Sequence, residues 1–369
     1  MFKIFQNARS FGKIYLSLEG MKEKLLGKSL DELRELCKEL SLPSYSAKQI
    51  VDWLYRKRVS SIDLMTNLSL KTRSVLAERF EVGGVMPSYT AVSKDGTKKY
   101  LFDCGSFVEA VMIPDEERYT LCVSSQRGCK MGCKFCMTGR QGFKGNLDAA
   151  QILSQFFFIE EAELLTNAVF MGMGEPLDNL SEVLRAIECL TADWGVGWSP
   201  KRITLSSIGV NKSLVEGEVS PLEKYLDGCK AHLAISLHNP FAGERALMMP
   251  SEKGFPLERT MEIIRRYDFT GQRRVSFEYI MFKGINDSVS HARALVKMLK
   301  GLECRVNLIR FHDIGETQFQ PSDMKVIEEF KDTLLKAGIT VTLRASRGQD
   351  IEAACGMLSG IKERNKKNE

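Results

Sequence analysis

From Leu147 to Leu343 the apolar pattern switches back and forth between two periods, and this alternation constrains the fold more than any other feature of the chain. Stretches with helical spacing at Leu147–Leu165, Leu180–Ala192, near Asn211, Leu257–Tyr267, Ser290–Leu299 and Met324–Ala337 each precede a short apolar run. Those runs are Ala168–Met173, Arg202–Ser206, Ala231–Leu237, Arg274–Phe282, Cys304–Phe311 and Thr340–Leu343. Helix and strand repeating at about thirty residues per unit predicts parallel strands with helical crossovers, most simply an open or complete β/α barrel.

The flanks differ. Strands are predicted at Lys99–Cys104, Phe107–Ile113 and Tyr119–Ser124, separated by Gly, Pro and acidic turns. Further upstream, Leu30, Leu33, Leu36 and Leu40 mark an amphipathic helix with Ser29 as N-cap. Ser46 is expected to cap a second helix, Ala47 to Arg58, and a third spans Leu70–Phe80, with Trp53 and Tyr55 read as core residues. Met21 opens this helical part. Residues 1–20 are expected to be a frayed extension or the product of an upstream start codon, and Lys362–Glu369 reads as a charged tail.

No apolar run reaches the ~18 to 20 residues of a membrane span, and the first twenty residues lack an export signal. Ten cysteines in such a chain point to the reducing cytoplasm, where thiols serve metals or catalysis more often than disulfide frameworks. Cys37, Cys104, Cys189, Cys229 and Cys304 sit in apolar contexts and read as structural. The net charge of +5 is uneven: residues 1–100 hold 18 Lys and Arg against 11 Asp and Glu, the remainder 34 against 36. A phosphate-binding module at the N-terminus and a solvated helical surface both fit that count.

Cys129, Cys133 and Cys136 follow the predicted strand at Tyr119–Ser124, spaced by three and then two residues. Three thiols are one fewer than a [4Fe-4S] cluster needs, which leaves one iron open to a small ligand. Structural zinc with a distant fourth ligand, or plain burial of small apolar side chains, are the alternatives. In β/α barrels chemistry gathers at the C-terminal strand ends, and polar groups fall there: Gly174 and Glu175, Ser206, Ser236 and His238, and His312.

The cysteine spacing resembles the signature of radical S-adenosylmethionine (SAM) enzymes. Four further motifs stand out, Val108–Pro114, Leu121–Cys129, Gly172–Pro176 and Arg347–Gly356. With them the wider sequence resembles the RlmN family of radical SAM RNA methyltransferases, with the Cfr family as close kin. The resemblance implies an α/β fold: a partial (β/α)6-type, TIM-like barrel at 118–346, after a basic helical RNA-binding domain at 21–90 and a β extension at 91–117. A C-terminal segment, 347–369, would follow. It further implies that Cys129, Cys133 and Cys136 hold one [4Fe-4S] cluster, and that Gly174, Glu175, Ser206, Ser236, Leu237 and His238 contact SAM. His312 stands where the family has Asn, and an imidazole also offers one hydrogen bond there.

The implied reaction is methylation of adenine carbon 2 in 23S rRNA, and of an adenosine in tRNA. That carbon is electrophilic, so a radical route is required. Two SAM molecules are used per turnover: one methylates Cys355, and the other starts the radical chemistry that joins the methyl carbon to the base. Cys122 then releases the product by forming a disulfide with Cys355, and Glu109 is the base. Read without the resemblance, Cys122 is a core residue, Cys355 helix packing and Glu109 an exposed carboxylate of an alternating strand. A flavodoxin- or ferredoxin-type reductant, a monomeric state and no membrane partner are expected. Carbon 8 chemistry as in Cfr, a radical SAM enzyme of peptides or small molecules, and a zinc-containing RNA-binding protein are the alternatives.

Overall fold

Helix α1 (Leu30–Glu39) starts where Ser29 and Glu32 cap each other reciprocally: the Ser29 hydroxyl accepts the Glu32 amide and the Glu32 carboxylate accepts the Ser29 amide. The computed structural model describes residues 22–213, 215–312, 317–344, 347–354 and 356–358. They fall into two units, divided between Gly84 and Val85.

In the first unit α1 buries Leu33, Leu36 and Cys37. The next helix, α2 (Ser46–Val51), runs into a π-helical turn, Asp52–Arg56. Ser46 does not cap it: its amide already bonds to Pro43, so the turn begins earlier and Ser46 is buried inside the helix. A third helix, α3 (Leu70–Arg79), is capped by Ser69, and strands β1 (Glu23–Lys24) and β2 (Phe80–Glu81) pair in parallel. Tyr55 is core, its hydroxyl donating to the Lys28 carbonyl at 2.6 Å. Trp53 is only half-buried, with the Lys57 ammonium 3.7 Å from its ring centre. Residues 22–84 carry 12 Lys and Arg against 9 Asp and Glu, so the folded unit is less basic than the first hundred residues as a whole.

The second unit is built on one ten-stranded sheet. Strands β3 (Pro87–Val92), β4 (Lys98–Asp103), β5 (Phe107–Asp115) and β6 (Arg118–Cys122) form an antiparallel meander. After β6 come a short hairpin, β7 (Gln126–Gly128) and β8 (Phe143–Asn146), and within it the one-turn helix α4 (Met137–Arg140). Helix α5 (Ala149–Phe157) then leads to β9 (Asn167–Phe170), which pairs in parallel with β6. Four more crossovers follow: α6 (Leu180–Thr191) to β10 (Ile203–Ser207), α7 (Pro221–Gly228) to β11 (His232–Ser236), α8 (Ala242–Met248) with α9 (Leu257–Arg266) to β12 (Val275–Met281), and α10 (Val289–Leu299) to β13 (Cys304–Arg310). A last helix, α11 (Met324–Lys336), leads to β14 (Thr340–Arg344). The result is six β/α units closed by a seventh parallel strand, and among the described residues β14 does not pair with β6. This partial barrel stays open on that side.

Several expectations shift. Strand β3 starts before Val92, and the hairpin β7–β8 was not anticipated. The helix expected near Asn211 lies at α7, because Ser220, Pro221 and Glu223 supply the capping box and first-turn proline that the earlier position lacks. Helix α5 ends at Phe157, well before Leu165. All seven residues of β12 are buried, as a strand covered on both faces requires. No helix among the described residues is long and apolar enough to cross a membrane.

Candidate active site at the strand ends

The loop that carries the three cysteines is closed by backbone contacts that exclude side chains. Gly128 has φ +78°, and a Cβ there would fall 1.9 Å from the Gly142 carbonyl oxygen, which accepts the Cys129 amide at 3.0 Å. The Lys134 amide bonds to the carbonyl of Met248 at the end of α8. Cys129, Cys133 and Cys136 thus line one cavity of about 150 Å³, together with Gly174, Glu175, Ser206, Ser236 and His238. Burial pushes the Cys129 thiol up to about 12 and raises Cys133 well above its ordinary value, so metal binding must expel thiol protons. Three thiols lining one cavity are one fewer than a four-iron cluster needs for full protein ligation, which suits a cluster with one iron left for a small ligand.

Around them the strand ends are tightly fixed. Gly174 has φ +103°, and a Cβ would meet Gln126 at 2.6 Å. The Glu175 carboxylate accepts the amides of Leu177 and Ile208, each at 3.0 Å, while burial pushes its pKa up to about 7. His238 accepts the Ile280 amide on Nδ1 at 3.1 Å and meets Phe135 edge-on; burial lowers its pKa to about 3 and keeps it neutral. Leu237 is wholly buried and does not line the cavity. Its amide donates to the Glu278 carbonyl, and its own carbonyl and that of Ser236 accept from Arg245, itself buried and paired with Glu252, so the expected SAM contact of Leu237 has no free main-chain group here.

A second cavity, about 570 Å³, opens where β6 and β14 fail to pair. Cys122, Thr120 and Arg118 line it from β6, Thr342 and Arg344 from β14, and His312, Arg347, Ala354 and Gly356 from the segments beyond. It shares Cys136, Met171, Gly172, Ile309 and Gly356 with the first cavity. His312 therefore lines this space and not the one lined by all three cysteines of the triplet; burial, then Arg310, lowers its pKa. Cys355 lies outside the described residues, but its neighbours are firmly placed. The Gly356 carbonyl accepts the Met137 amide at 2.8 Å, and the Thr138 hydroxyl donates to Leu358 at 2.7 Å. On the other side the turn between β3 and β4 clasps the segment: Asp95 accepts the Gly348 amide, while Asp350 accepts the Ser93 hydroxyl and the Lys94 amide.

Glu109 lines neither cavity. It is buried, not exposed, because β5 is an internal strand. Val111 is paired with Cys122, so Glu109 shares the sheet face of that thiol, and Lys99 Nζ lies 3.5 Å from its carboxylate.

A polar row went unnoticed in the sequence. Ser236, Glu278, Asn307 and Thr342 are successive register partners across β11 to β14. Asn307 donates to Glu278 at 2.6 Å and accepts from Thr342, and Arg344 reaches Glu278 at 3.4 Å. The available signal was a single carboxylate in the largely apolar run Val275–Met281.

A parallel β/α sheet with three thiols in the loop after its first parallel strand defines a radical SAM enzyme. Residues 123–296 match the Radical SAM superfamily, and residues 23–82 match the ribosomal RNA large subunit methyltransferase N-terminal domain. The chain is 54% identical over 352 residues to the probable dual-specificity RNA methyltransferase RlmN of Phocaeicola vulgatus, covering 95% of this chain and 99% of the relative. It is 40% identical over 342 residues to the dual-specificity RNA methyltransferase RlmN of Syntrophus aciditrophicus, covering 90% and 95%. The crystal structure of a radical SAM methyltransferase from Sphaerobacter thermophilus superposes with a TM-score of 0.83 at 35% identity, covering 92% of this chain and all of the other. The chain belongs to the RlmN family of radical SAM RNA methyltransferases. Membership implies a [4Fe-4S] cluster and SAM.

Proposed function

We propose that this enzyme methylates carbon 2 of an adenine in 23S rRNA and of an adenosine in tRNA anticodon loops, in the cytoplasm. The supporting observation is that Cys122 lines one cavity with both neighbours of Cys355, and that this cavity adjoins the one holding the thiol triplet. When bound to Cys129, Cys133 and Cys136, the cluster supplies the electron that breaks a carbon–sulfur bond of SAM.

Glu175 accepts the SAM ammonium, whose charge favours the ionised carboxylate that burial disfavours. Gly174 lets the ligand approach the backbone, Ser206, Ser236 and neutral His238 offer hydrogen bonds, and Leu237 supports the site from behind by accepting from Arg245. His312 takes its contact from the side of the larger cavity.

Cys355 is the acceptor of the first methyl group: its thiolate attacks the sulfonium methyl, forming one S–C bond as another breaks. A second SAM is consumed when that methyl group gives a hydrogen atom to the adenosyl fragment released from it, and the methyl carbon joins carbon 2 of the base. After the ring has passed one electron to the oxidised flavodoxin- or ferredoxin-type partner, Glu109 takes the ring proton. The Cys122 thiolate then attacks the Cys355 sulfur, the S–C bond breaks, and the released carbon takes a proton to become the product methyl. A Cys122–Cys355 disulfide remains for reduction. Arg118 and Arg347 suit the phosphates of a splayed-out nucleotide, and the N-terminal unit holds the rest of the RNA. A flavodoxin- or ferredoxin-type protein delivers electrons, and the enzyme acts as a monomer.

Nucleoside mass spectrometry of RNA treated with the anaerobic, cluster-loaded enzyme tests the proposal. It should yield 2-methyladenosine; 8-methyladenosine or unmodified RNA would refute it.

A further inference from the structure

We infer that Lys99 is a positioning residue for the closing steps of the reaction, holding the Glu109 carboxylate beside Cys122 and tying it to the segment that carries Cys355. The inference rests on the proposed function. Lys98 and Lys99 are consecutive on β4 and so point to opposite faces of the sheet. Lys98 meets Glu160 and Glu161, a pairing that fastens the region after α5. Lys99 points the other way, onto the face shared with Cys122: Lys99 is the register partner of Val111, and Val111 of Cys122, so the three form one row across β4, β5 and β6.

On that face the Lys99 side chain is only 14% exposed and that of Glu109 3%. An ammonium and a carboxylate so deeply placed persist as ions only with partners. Lys99 Nζ lies 3.5 Å from Glu109 Oε1 and donates to the Glu352 carbonyl at 3.4 Å. Glu352 stands three residues before Cys355. It has φ +53°, in the left-handed region that a non-glycine residue rarely adopts. The Asp95 and Asp350 contacts of the β3–β4 turn fix the same segment, so one hairpin supplies both the ammonium and the mount for the carbonyl it grips.

One cation therefore touches both the Glu109 carboxylate and the segment that carries Cys355, on the sheet face of Cys122. In the step it assists, the C–H bond at carbon 2 of the oxidised ring breaks, its electron pair returns to the ring, and the proton passes to a Glu109 oxygen. The ammonium holds that oxygen in register with the thiol that acts next.

The test compares Lys99→Met, Lys99→Arg and Glu109→Gln in the full-length, cluster-loaded enzyme. Three readouts are followed: Cys355 methylation by peptide mass spectrometry, RNA–protein adduct on denaturing gels, and kcat against KM for RNA. Lys99→Met should methylate Cys355 like the wild type and keep KM within about twofold. Its kcat should fall by about tenfold or more while adduct accumulates, as in Glu109→Gln. Lys99→Arg should recover most of kcat and clear the adduct. A wild-type kcat in Lys99→Met beside an impaired Glu109→Gln overturns the inference alone. So does loss of Cys355 methylation in Lys99→Met without rescue by Arg, which would make the pair merely structural. Full turnover by Glu109→Gln removes the base from the proposed function, and the role of Lys99 with it.

Discussion

The amide of Met137 donates a 2.8 Å hydrogen bond to the carbonyl of Gly356, so the residue that follows Cys136 is bonded to the residue that follows Cys355. Gly356 has φ +83°, and a Cβ added there would sit 3.3 Å from the Phe135 carbonyl oxygen. The loop of the cysteine triplet and the C-terminal segment are thereby built as one piece. Gly356→Ala should add about 1 kcal/mol of backbone strain and displace the segment. Cluster absorbance should survive, since the three thiols are untouched, while methylation of Cys355 slows several-fold in a mass-spectrometric time course.

Glu278 is buried, and removing its carboxylate leaves Arg344 and Asn307 without an anion that both now contact. Glu278→Ala should destabilise the enzyme by about 3 kcal/mol, the scale of a broken buried ion pair. Glu278→Gln, which keeps an acceptor for Asn307, should cost less. Urea denaturation of the two variants checks the order.

His232 on β11 bonds through Nε2 to Ser276 at 3.0 Å, and its pKa is lowered from 6.5 to about 4 by burial, with Arg273 and Arg305 adding to the effect. The folded state thus favours the neutral ring. Its contribution to stability is complete above the unfolded value of 6.5 and is lost as pH falls towards 4. Denaturation midpoints should therefore drop across that window, and His232→Gln should flatten this part of the profile.

The N-terminal unit, with its half-exposed Trp53 and Lys57 stacked together, is the expected holder of RNA. A chain beginning at Val85 should assemble the cluster and bind SAM yet lose RNA methylation. Retained methylation at the wild-type rate would remove RNA binding from this unit.

The barrel was legible because each crossover carries its own local signals. Apolar period marks α6 and β10, and Ser29 with Glu32 announces α1. What escaped depends on contacts between distant residues. Glu109 reads as a surface carboxylate until β4 and β6 cover its strand on either side. The row from Ser236 to Thr342 exists only through the register of four strands that lie far apart in the chain. The clasp made by Asp95 and Asp350 joins positions 253 to 257 residues apart, beyond the reach of any local pattern. The cysteine triplet was visible at once because its three members sit within eight residues.

The most direct test of the proposed chemistry is the fate of RNA in a Cys122→Ala enzyme. Loaded with its cluster and incubated anaerobically with SAM and RNA, this variant should methylate Cys355 and then stop with RNA covalently attached at that residue. Denaturing gels and peptide mass spectrometry would reveal the attachment. Release of free methylated RNA at the wild-type rate, with no adduct, would contradict the assigned role of Cys122.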